Sequence, residues 1–286
     1  MKKQTLWYWL FLSPVLIALI SVVVIPFMFG LYYSFTDWNG IQSTKFVGFE
    51  HYMEIFKDKE FISSLWFTVK FSIVSVILIN FFGLSLALIV TQNIKTSKIL
   101  RTVFFMPNLI GGLILGFIWQ FIFIKVFASI GDLLNIESLR GWLSTPETGF
   151  WGLAIVMSWQ MAGYIMVIYI AYLENIPQEL LEAAAIDGAN SFQRFRYITF
   201  PLVAPAFTVS LFLTLSNSFK LYDQNLSLTG GGPYNSTQML AMEIFKTAFS
   251  ENQMAYAQSK AVIFFIIVAV ISLTQVYFNK KREVEM

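Results

Sequence analysis

Polar and aromatic residues form two groups within long apolar stretches of the sequence. The first group is Trp159, Gln160 and Tyr164; the second is Asn217, Phe219, Tyr222, Asp223 and Gln224. Polar side chains inside a membrane are costly, so those that face the interior of a helix bundle are candidates for function. Aromatic faces combined with amide and carboxylate groups suit the hydroxyls of a carbohydrate. We therefore predict that these eight residues line a path for such a substrate.

Each of these residues also has a purely structural interpretation. Gln and Asn side chains hydrogen-bond membrane helices to one another. Trp and Tyr gather at the two membrane–water interfaces. Lys220 and Asp223 are three residues apart, a spacing at which they could form an ion pair near a helix end. The residue types alone leave both interpretations open.

The composition is that of a polytopic membrane protein. Of 286 residues, 57% are hydrophobic, 17% aromatic and 13% charged, and the mean hydropathy is +0.65. Soluble domains are about 25% charged. The net charge of +2 is too small to indicate a nucleic-acid partner.

The sequence lacks the usual residues for thiol, metal or nucleotide chemistry. There is no Cys, and the single His51 lies in a polar loop, so a Cys/His metal site is not expected. No Gly-x-x-x-x-Gly-Lys-Ser/Thr phosphate loop occurs. The glycine cluster at 228–233 reads by itself as a tight turn. We expect no catalytic residue, no metal and no cofactor bound by this chain.

A short polar segment at 177–188 separates two apolar runs and is predicted to form a helix of two to three turns. Pro177 is tolerated at a helix start, and Gly188 is a natural stop. One interpretation is an amphipathic connector on a membrane surface. The other is a projection that fits a partner's groove, where small side chains allow close approach. The residues available for such contact are Glu182, Ala183, Ala184, Asp187 and Gly188.

The stretch 177–201 resembles the permease subunits of binding-protein-dependent ABC importers. Their pattern is Glu-Ala-Ala, three residues, Gly, nine residues, Ile, one residue, Leu-Pro. It is matched here by Glu182, Ala183, Ala184, Gly188, Ile198 and Pro201, with Phe200 in place of Leu. Residues 46–52 and the turn at 228–233 are similar to outer segments of sugar permeases of the maltose and glycerol-phosphate type, although Phe49 and His51 depart from the commonest residues.

Six apolar runs are the elements that must position these residues. Their predicted bounds are 6–35, 64–90, 103–123, 150–172, 202–219 and 261–278, close to the roughly 20 residues that cross a bilayer. We expect an all-α membrane protein with six transmembrane helices. By the resemblance it has a type I ABC importer permease fold with a cytoplasmic coupling helix. Residues 1–63 would hold the first transmembrane helix and an outer loop, and residues 64–286 the permease domain with its Glu-Ala-Ala loop at 177–201.

The distribution of basic residues predicts the orientation of these spans. The short loop at 91–102 carries Lys95, Lys98 and Arg101 and no acidic residue, which indicates the cytoplasmic side. Six spans place both termini and the segment 177–201 on that same side, together with the basic end Lys280, Lys281 and Arg282. We expect a multi-pass protein of a bacterial cytoplasmic membrane with both termini in the cytoplasm.

The resemblance implies the translocation subunit of an ATP-driven carbohydrate importer. Its implied partners are a second homologous permease, two ATPase subunits that bind ATP and Mg²⁺, and an extracellular solute-binding protein. Two alternatives remain. A glycerol-phosphate or other polyol cargo in the same family would favour cations on the pathway, such as Lys70 or Lys220. A secondary transporter would need coupling-ion carboxylates within the spans, and the sequence shows none near a span centre.

Overall fold

The computed structural model describes residues 2–41, 45–92 and 94–281, with side chains from residue 8 onward. The structure is 78% helical. In the described residues the only β-type pairing is an isolated bridge between Thr36 and Phe46. The predicted all-α class is confirmed.

The first helix is long and apolar, and most of its side chains are exposed. This helix, α1, runs from Lys2–Leu19 through a π-helical turn at Ile20–Val24 into Ile25–Tyr33. Its apolar part, Tyr8–Tyr33, has a hydropathy of 2.7 and is 0% buried. The π-helical turn ends two residues before Pro26, and both features are known causes of irregularity in a helix. The short helix α2, Glu50–Ile55, follows.

Two further long helices correspond to the second and fourth predicted spans. Helix α3 is Lys59–Val90, 32 residues, and is about 48 Å long at 1.5 Å per residue. The other, α6, is Pro146–Leu173, and 67% of the residues in its apolar window are buried. Thr145 and Thr148 cap its start with reciprocal hydrogen bonds of 3.2 Å.

The third apolar run differs from its predicted bounds of 103–123. Helix α4, Ser97–Phe105, ends in a short turn at Met106–Leu109, and helix α5 begins only at Gly112. The cause is local, because Ile110 and Gly111 adopt extended backbone angles after Pro107. Helix α5 then continues from Gly112–Phe121 through Ile122–Val126 and Phe127–Leu134. It therefore extends 11 residues beyond the predicted end at residue 123.

The segment with the Glu-Ala-Ala pattern and the helices after it are shorter. Helix α7 is Gln178–Ile186, and α8 comprises Ser191–Arg194, Phe195–Thr199 and Phe200–Leu202. A bend of 67° separates α8 from α9, Ala204–Phe219. In the described residues, five helices are long and apolar enough to cross a membrane, or six if this bent pair is one span.

Three helices complete the chain. Helices α10, Asp223–Leu228, and α11, Leu240–Phe249, lie in the stretch between the fifth and sixth predicted spans. The last, α12, is Met254–Lys280, and so begins seven residues before the predicted start at 261. Arg282, used in the orientation argument, lies outside the described residues.

The chain divides into two compact units. One is Met1–Phe61 with Glu243–Ile266, and the other is Ile62–Met242 with Ile267–Met286. The core of the second unit is built on α6, where one face is buried at four-residue intervals. That face consists of Leu153, Met157, Met161, Ile165 and Tyr169, none more than 7% exposed.

Buried polar side chains join three helices of this second unit. The hydroxyl of Tyr169 donates to Asn80 Oδ1 at 2.9 Å, and Ser210 Oγ donates to the same oxygen at 2.6 Å. Asn80 Nδ2 donates to Thr214 Oγ1 at 3.1 Å. Such bonds hold membrane helices together where apolar contacts give no preference over lipid. The sequence analysis did not identify this network.

Candidate functional site

A polar cavity of about 440 Å³ lies beside α6 and α9 in the second unit. Six of the eight residues predicted from the sequence line it: Gln160, Tyr164, Asn217, Tyr222, Asp223 and Gln224. Asn108 and Lys220 add an amide and a cation, and the remaining lining residues are apolar. Residues that are about 60 positions apart in sequence are thus brought together at one site.

Gln160 is held on both sides of its amide group. Its Nε2 donates to the Ile110 carbonyl oxygen at 2.9 Å, and its Oε1 accepts from Gln224 Nε2 at 2.7 Å. The first bond satisfies a carbonyl that the break between α4 and α5 leaves without a helical partner. The second bond fixes the start of α10. Gln160 therefore shapes one wall of the cavity as well as facing it.

Other residues that line the cavity carry groups that can bind hydroxyls. Asn217 Nδ2 donates to the Leu213 carbonyl at 2.8 Å. Its side-chain oxygen takes no part in this hydrogen bond. Partial burial, and then the neighbouring charge of Asp223, raises the pKa of Tyr222, so this phenol is a hydrogen-bond donor at neutral pH. The ion pair between Lys220 and Asp223, left open as a structural alternative, is not among the ion pairs of the described residues.

The structure places the other two predicted residues away from this cavity. Trp159 packs edge-on against Trp119, with ring centroids 5.5 Å apart, and lines a different, apolar cavity. Phe219 is only 2% exposed. Their assignment to the substrate pathway stays a prediction from sequence, and neither side chain is part of the cavity wall.

Two glycines set the position of α10 and hence of Asp223 and Gln224. A Cβ on Gly112 would lie 2.9 Å from Gln224 Oε1 and 3.0 Å from Asp223 Cβ. One on Gly116 would lie 1.9 Å from Ser227 Oγ. Only glycine allows the two helices to approach so closely. The Gly-x-x-x-Gly spacing is a known helix-packing signal, and the sequence analysis passed over it here.

The glycine-rich segment after α10 forms the tight turn that was predicted. Gly230 and Gly231 have φ angles of +57° and +82°, which favour glycine. Asn225, fully buried, closes the turn by donating to the Thr237 carbonyl at 2.8 Å and accepting from the Met239 N–H at 3.0 Å. The N–H groups of Gly230, Gly231 and Gly232 all donate within this segment, to Asn225 O, Thr229 Oγ1 and Thr229 O, so they are not free to bind a phosphate.

Helix α7 presents the residues of the Glu-Ala-Ala pattern to solvent. Glu182 and Asp187 are exposed, as is Ala183, while Ala184 is half-buried and Ile186 is 87% exposed. Glu182 accepts a hydrogen bond from Gln178 Nε2 at 2.9 Å. Gly188, with φ +82°, ends the helix as predicted. Ile186 is thus an exposed apolar side chain beside the small residues and carboxylates of the Glu-Ala-Ala pattern.

One ion pair anchors the segment that leads into α7. Arg101 Nη2 lies 2.6 Å from Glu174 Oε1 and also donates to the Val90 carbonyl at 3.3 Å. The basic loop at 91–102 is thereby tied to the residues between α6 and α7. From sequence, Arg101 was considered only as a charge that indicates orientation.

A buried cluster of charges lies in the first unit. Lys260, 2% exposed, has its Nζ 2.8 Å from Asp58 Oδ2 and 2.5 Å from Glu243 Oε1. Its Nζ also lies 4.6 Å from the centre of the Tyr256 ring. Buried charges are paired because the interior solvates them poorly. No sequence pattern singled out Lys260, since its partners are distant in sequence.

Comparisons with known proteins agree with this architecture. Residues 79–284 match the family described as "Binding-protein-dependent transport system inner membrane component". The chain is similar to the probable starch degradation products transport system permease protein AmyD of Thermoanaerobacterium thermosulfurigenes, with 61% identity over 99% of this chain and 97% of the relative. It is 31% identical to the trehalose/maltose transport system permease protein MalF of Thermococcus litoralis, over 96% of this chain and 93% of the relative.

The fold is also that of a solved transporter subunit. The structure matches a chain of a bacterial ABC transporter involved in the import of the acidic polysaccharide alginate, with a TM-score of 0.85 and 20% identity. The match covers 98% of this chain and 96% of the other. The resemblance noted in the Glu-Ala-Ala pattern is thus confirmed in fold as well as in sequence. This chain belongs to the family of inner membrane permease components of binding-protein-dependent ABC importers.

Proposed function

We propose that this permease carries a carbohydrate across the membrane through the cavity beside α6 and α9. The observation that carries the proposal is that six residues chosen from sequence for sugar chemistry line one cavity of about 440 Å³. Relatives named for starch degradation products and for trehalose and maltose support the same cargo class. The phenol, amide and carboxylate groups that line this cavity can hydrogen-bond the hydroxyls of a sugar ring.

The driving force in this proposal comes from other subunits. Two ATPase subunits bind ATP and Mg²⁺, a second homologous permease completes the pathway, and an extracellular solute-binding protein delivers the sugar. Helix α7 contacts an ATPase through Glu182, Ala183, Ala184, Asp187 and Gly188. Nucleotide and binding protein reorient the spans because each binds one orientation better than the other. The chain itself needs no cofactor.

The proposed orientation places both termini and α7 in the cytoplasm. Its support is the basic loop with Lys95, Lys98 and Arg101. Cysteine labelling tests it directly. Tyr234→Cys, at a fully exposed position on the other side, should react with a membrane-impermeant maleimide in intact cells, and Ser191→Cys, also exposed, should react only after lysis. The reverse pattern would overturn the orientation.

A phosphorylated polyol is the second candidate cargo. Lys220 lines the cavity and favours an anion, but Asp223 lines the same cavity and offsets its charge. Lys70, the other cation considered, lines a separate cavity. The balance of charges therefore favours a neutral sugar.

Purification of the tagged chain from its native membrane tests the proposed assembly. Mass spectrometry should identify a second six-helix permease and an ATPase with a phosphate loop. The solute-binding protein encoded with them should bind malto-oligosaccharides and should not bind glycerol 3-phosphate. Repeated recovery of this chain alone in mild detergent would refute the assembly, and a binding protein specific for the phosphate ester would refute the cargo.

A further inference from the structure

Helix α4 connects the residues that lead into α7 with the cavity beside α6 and α9. The helix is Ser97–Phe105. Arg101, in its middle, pairs with Glu174, which comes four residues before the start of α7. Asn108, in the turn that follows α4, lines the cavity. Arg101 and Asn108 are about 12 Å apart, at 1.5 Å per residue in the α-helix and 2.0 Å in the 3₁₀ turn. One short element therefore reaches both regions.

The guanidinium group of Arg101 is held by a backbone carbonyl as well as by a carboxylate. Its Nη2 lies 2.6 Å from Glu174 Oε1, and it donates at 3.3 Å to the carbonyl of Val90, the last residue of α3. Ser97 Oγ donates to the same carbonyl. Many ion pairs between exposed, flexible side chains contribute nothing measurable. The bond to Val90 orders the Arg101 side chain, so this ion pair holds Glu174 at a defined place.

The link between α6 and α7, residues 174–177, is not helical. It is attached to the second unit by Ile176, which is 9% exposed and belongs to the buried apolar cluster, and by Glu174 through Arg101. Asn175 bonds back to α6, with its Nδ2 donating to the Ala171 carbonyl at 2.8 Å. Because no continuous helix joins α7 to α6, a movement of α7 reaches its surroundings through these side-chain contacts.

Helix α4 meets α6 backbone to backbone at Gly163. A Cβ on Gly163 would lie 1.8 Å from the Phe104 carbonyl oxygen and 2.9 Å from the Phe105 nitrogen. Along the chain, Arg101 comes before this contact and Asn108 comes after it. Close-packed interiors transmit displacements because they have little free space. A tilt of α4 about this contact therefore moves Arg101 and Asn108 together.

We propose that α4 is a lever that couples the position of α7 to the shape of the cavity, with Arg101 and Glu174 as its positioning residues. The ion pair makes α4 follow the link before α7, and the tilt displaces the Asn108 amide in the cavity wall. The extended backbone at Ile110 and Gly111 separates α4 from α5, so α4 can tilt without α5. This inference rests on the proposed contact between α7 and an ATPase and is independent of the cargo.

A cysteine at the cavity end of the lever tests the coupling. The chain has no cysteine, so Asn108→Cys adds one reactive thiol when the partner subunits are cysteine-free. The full-length chain is assembled with its partner permease and ATPases in nanodiscs, and maleimide labelling is timed with and without ATP and vanadate. We expect nucleotide to change the labelling rate. Arg101→Glu should reduce that change about fivefold, because it sets two carboxylates against each other.

Two further variants separate positioning from a general structural effect. Arg101→Lys keeps the positive charge and should retain most of the nucleotide effect. Arg101→Glu/Glu174→Arg forms the pair again with the signs exchanged and should restore most of it. Lys98→Glu is the matched control, since Lys98 is exposed and forms no ion pair with another described residue. It should respond like the unaltered complex. The amount of bound ATPase should be the same in every variant.

Four results would overturn the proposal. They are an unaltered complex in which nucleotide leaves labelling at Asn108→Cys unchanged, equal effects of Arg101→Glu and Lys98→Glu, a double variant no better than Arg101→Glu alone, and loss of the ATPase from the Arg101→Glu complex. Failure of the proposed function would look different. A complex that responds to nucleotide at this position but does not import maltotriose would refute the carbohydrate cargo and support the lever.

Discussion

Replacing Lys260 by Met is the sharpest test of the buried charge cluster. The ammonium group donates to Glu243 Oε1 at 2.5 Å and to Thr247 Oγ1 at 3.0 Å, and it lies 2.8 Å from Asp58 Oδ2. Lys260 and Glu243 are each 2% exposed by side chain, whereas Asp58 is 18% exposed. Methionine has a similar length and keeps the packing, so the variant removes the charge and little else.

The expected loss of folding stability depends on which carboxylate is left without its cation. Asp58 keeps hydrogen bonds from the Phe61 N–H and the Tyr256 hydroxyl, both at 3.0 Å. Glu243 is the more buried partner, and leaving a buried charge without its counterion costs about 3–5 kcal/mol. Removing both charges with Lys260→Met/Glu243→Leu should restore most of that stability, because replacing a buried ion pair by apolar residues is often nearly neutral.

Acid should weaken the same cluster. Burial alone would raise the pKa of Asp58, but hydrogen bonds from Lys260 and the Phe61 N–H outweigh it and hold the pKa below 3.8. A carboxyl whose pKa is lower in the folded state stabilises the fold above its unfolded pKa and loses that contribution as the pH falls through the folded value. The contribution of Asp58 should therefore begin to fall below about pH 4, the pKa of an unfolded Asp, and should be lost once the pH passes below the lowered pKa of the folded state.

Thermal and denaturant unfolding of the purified full-length protein, followed by tryptophan fluorescence, measures these effects. Lys125→Met, at an exposed lysine of α5, is the control and should unfold like the unaltered protein. The reasoning fails if Lys260→Met is as stable as that control. It also fails if the double variant is no more stable than the single one.

Three further substitutions test the site and its supports. Gln160→Ala removes two hydrogen bonds worth about 1 kcal/mol each and should slow the initial uptake of labelled malto-oligosaccharide at an unchanged amount of protein in the membrane. Gly163→Ala puts a Cβ 1.8 Å from a backbone oxygen and should lower the free energy of unfolding by about 1–3 kcal/mol. Gly111→Ala is the control, because a Cβ there meets open space, and it should lower the stability by far less. Melting temperatures of the two variants measure the difference. Glu182→Lys should abolish co-purification of the ATPase without changing the melting temperature; a retained ATPase would contradict the role of α7.

Local patterns in the sequence were sufficient for much of the fold. Apolar runs of about 20 residues predict membrane helices because the bilayer sets their length. Pro177 and Gly188 predict the bounds of α7 because both act on the backbone of one or two residues. Six polar or aromatic residues of the cavity beside α6 and α9 could be named from the sequence for a similar reason. An amide or a carboxylate in or beside an apolar run is noticeable because it is costly to place in a membrane.

The tertiary structure decided which of these residues meet. Trp159 satisfies the same sequence criteria as Gln160, yet the two are adjacent on a helix and so point about 100° apart; only the packing of α6 shows which one faces the cavity. Lys260 forms ion pairs with Asp58 and Glu243. These partners are too far away in sequence for a local pattern to predict the contacts. Local chemistry determined the helices and the candidate residues, whereas contacts between distant parts of the chain determined the site.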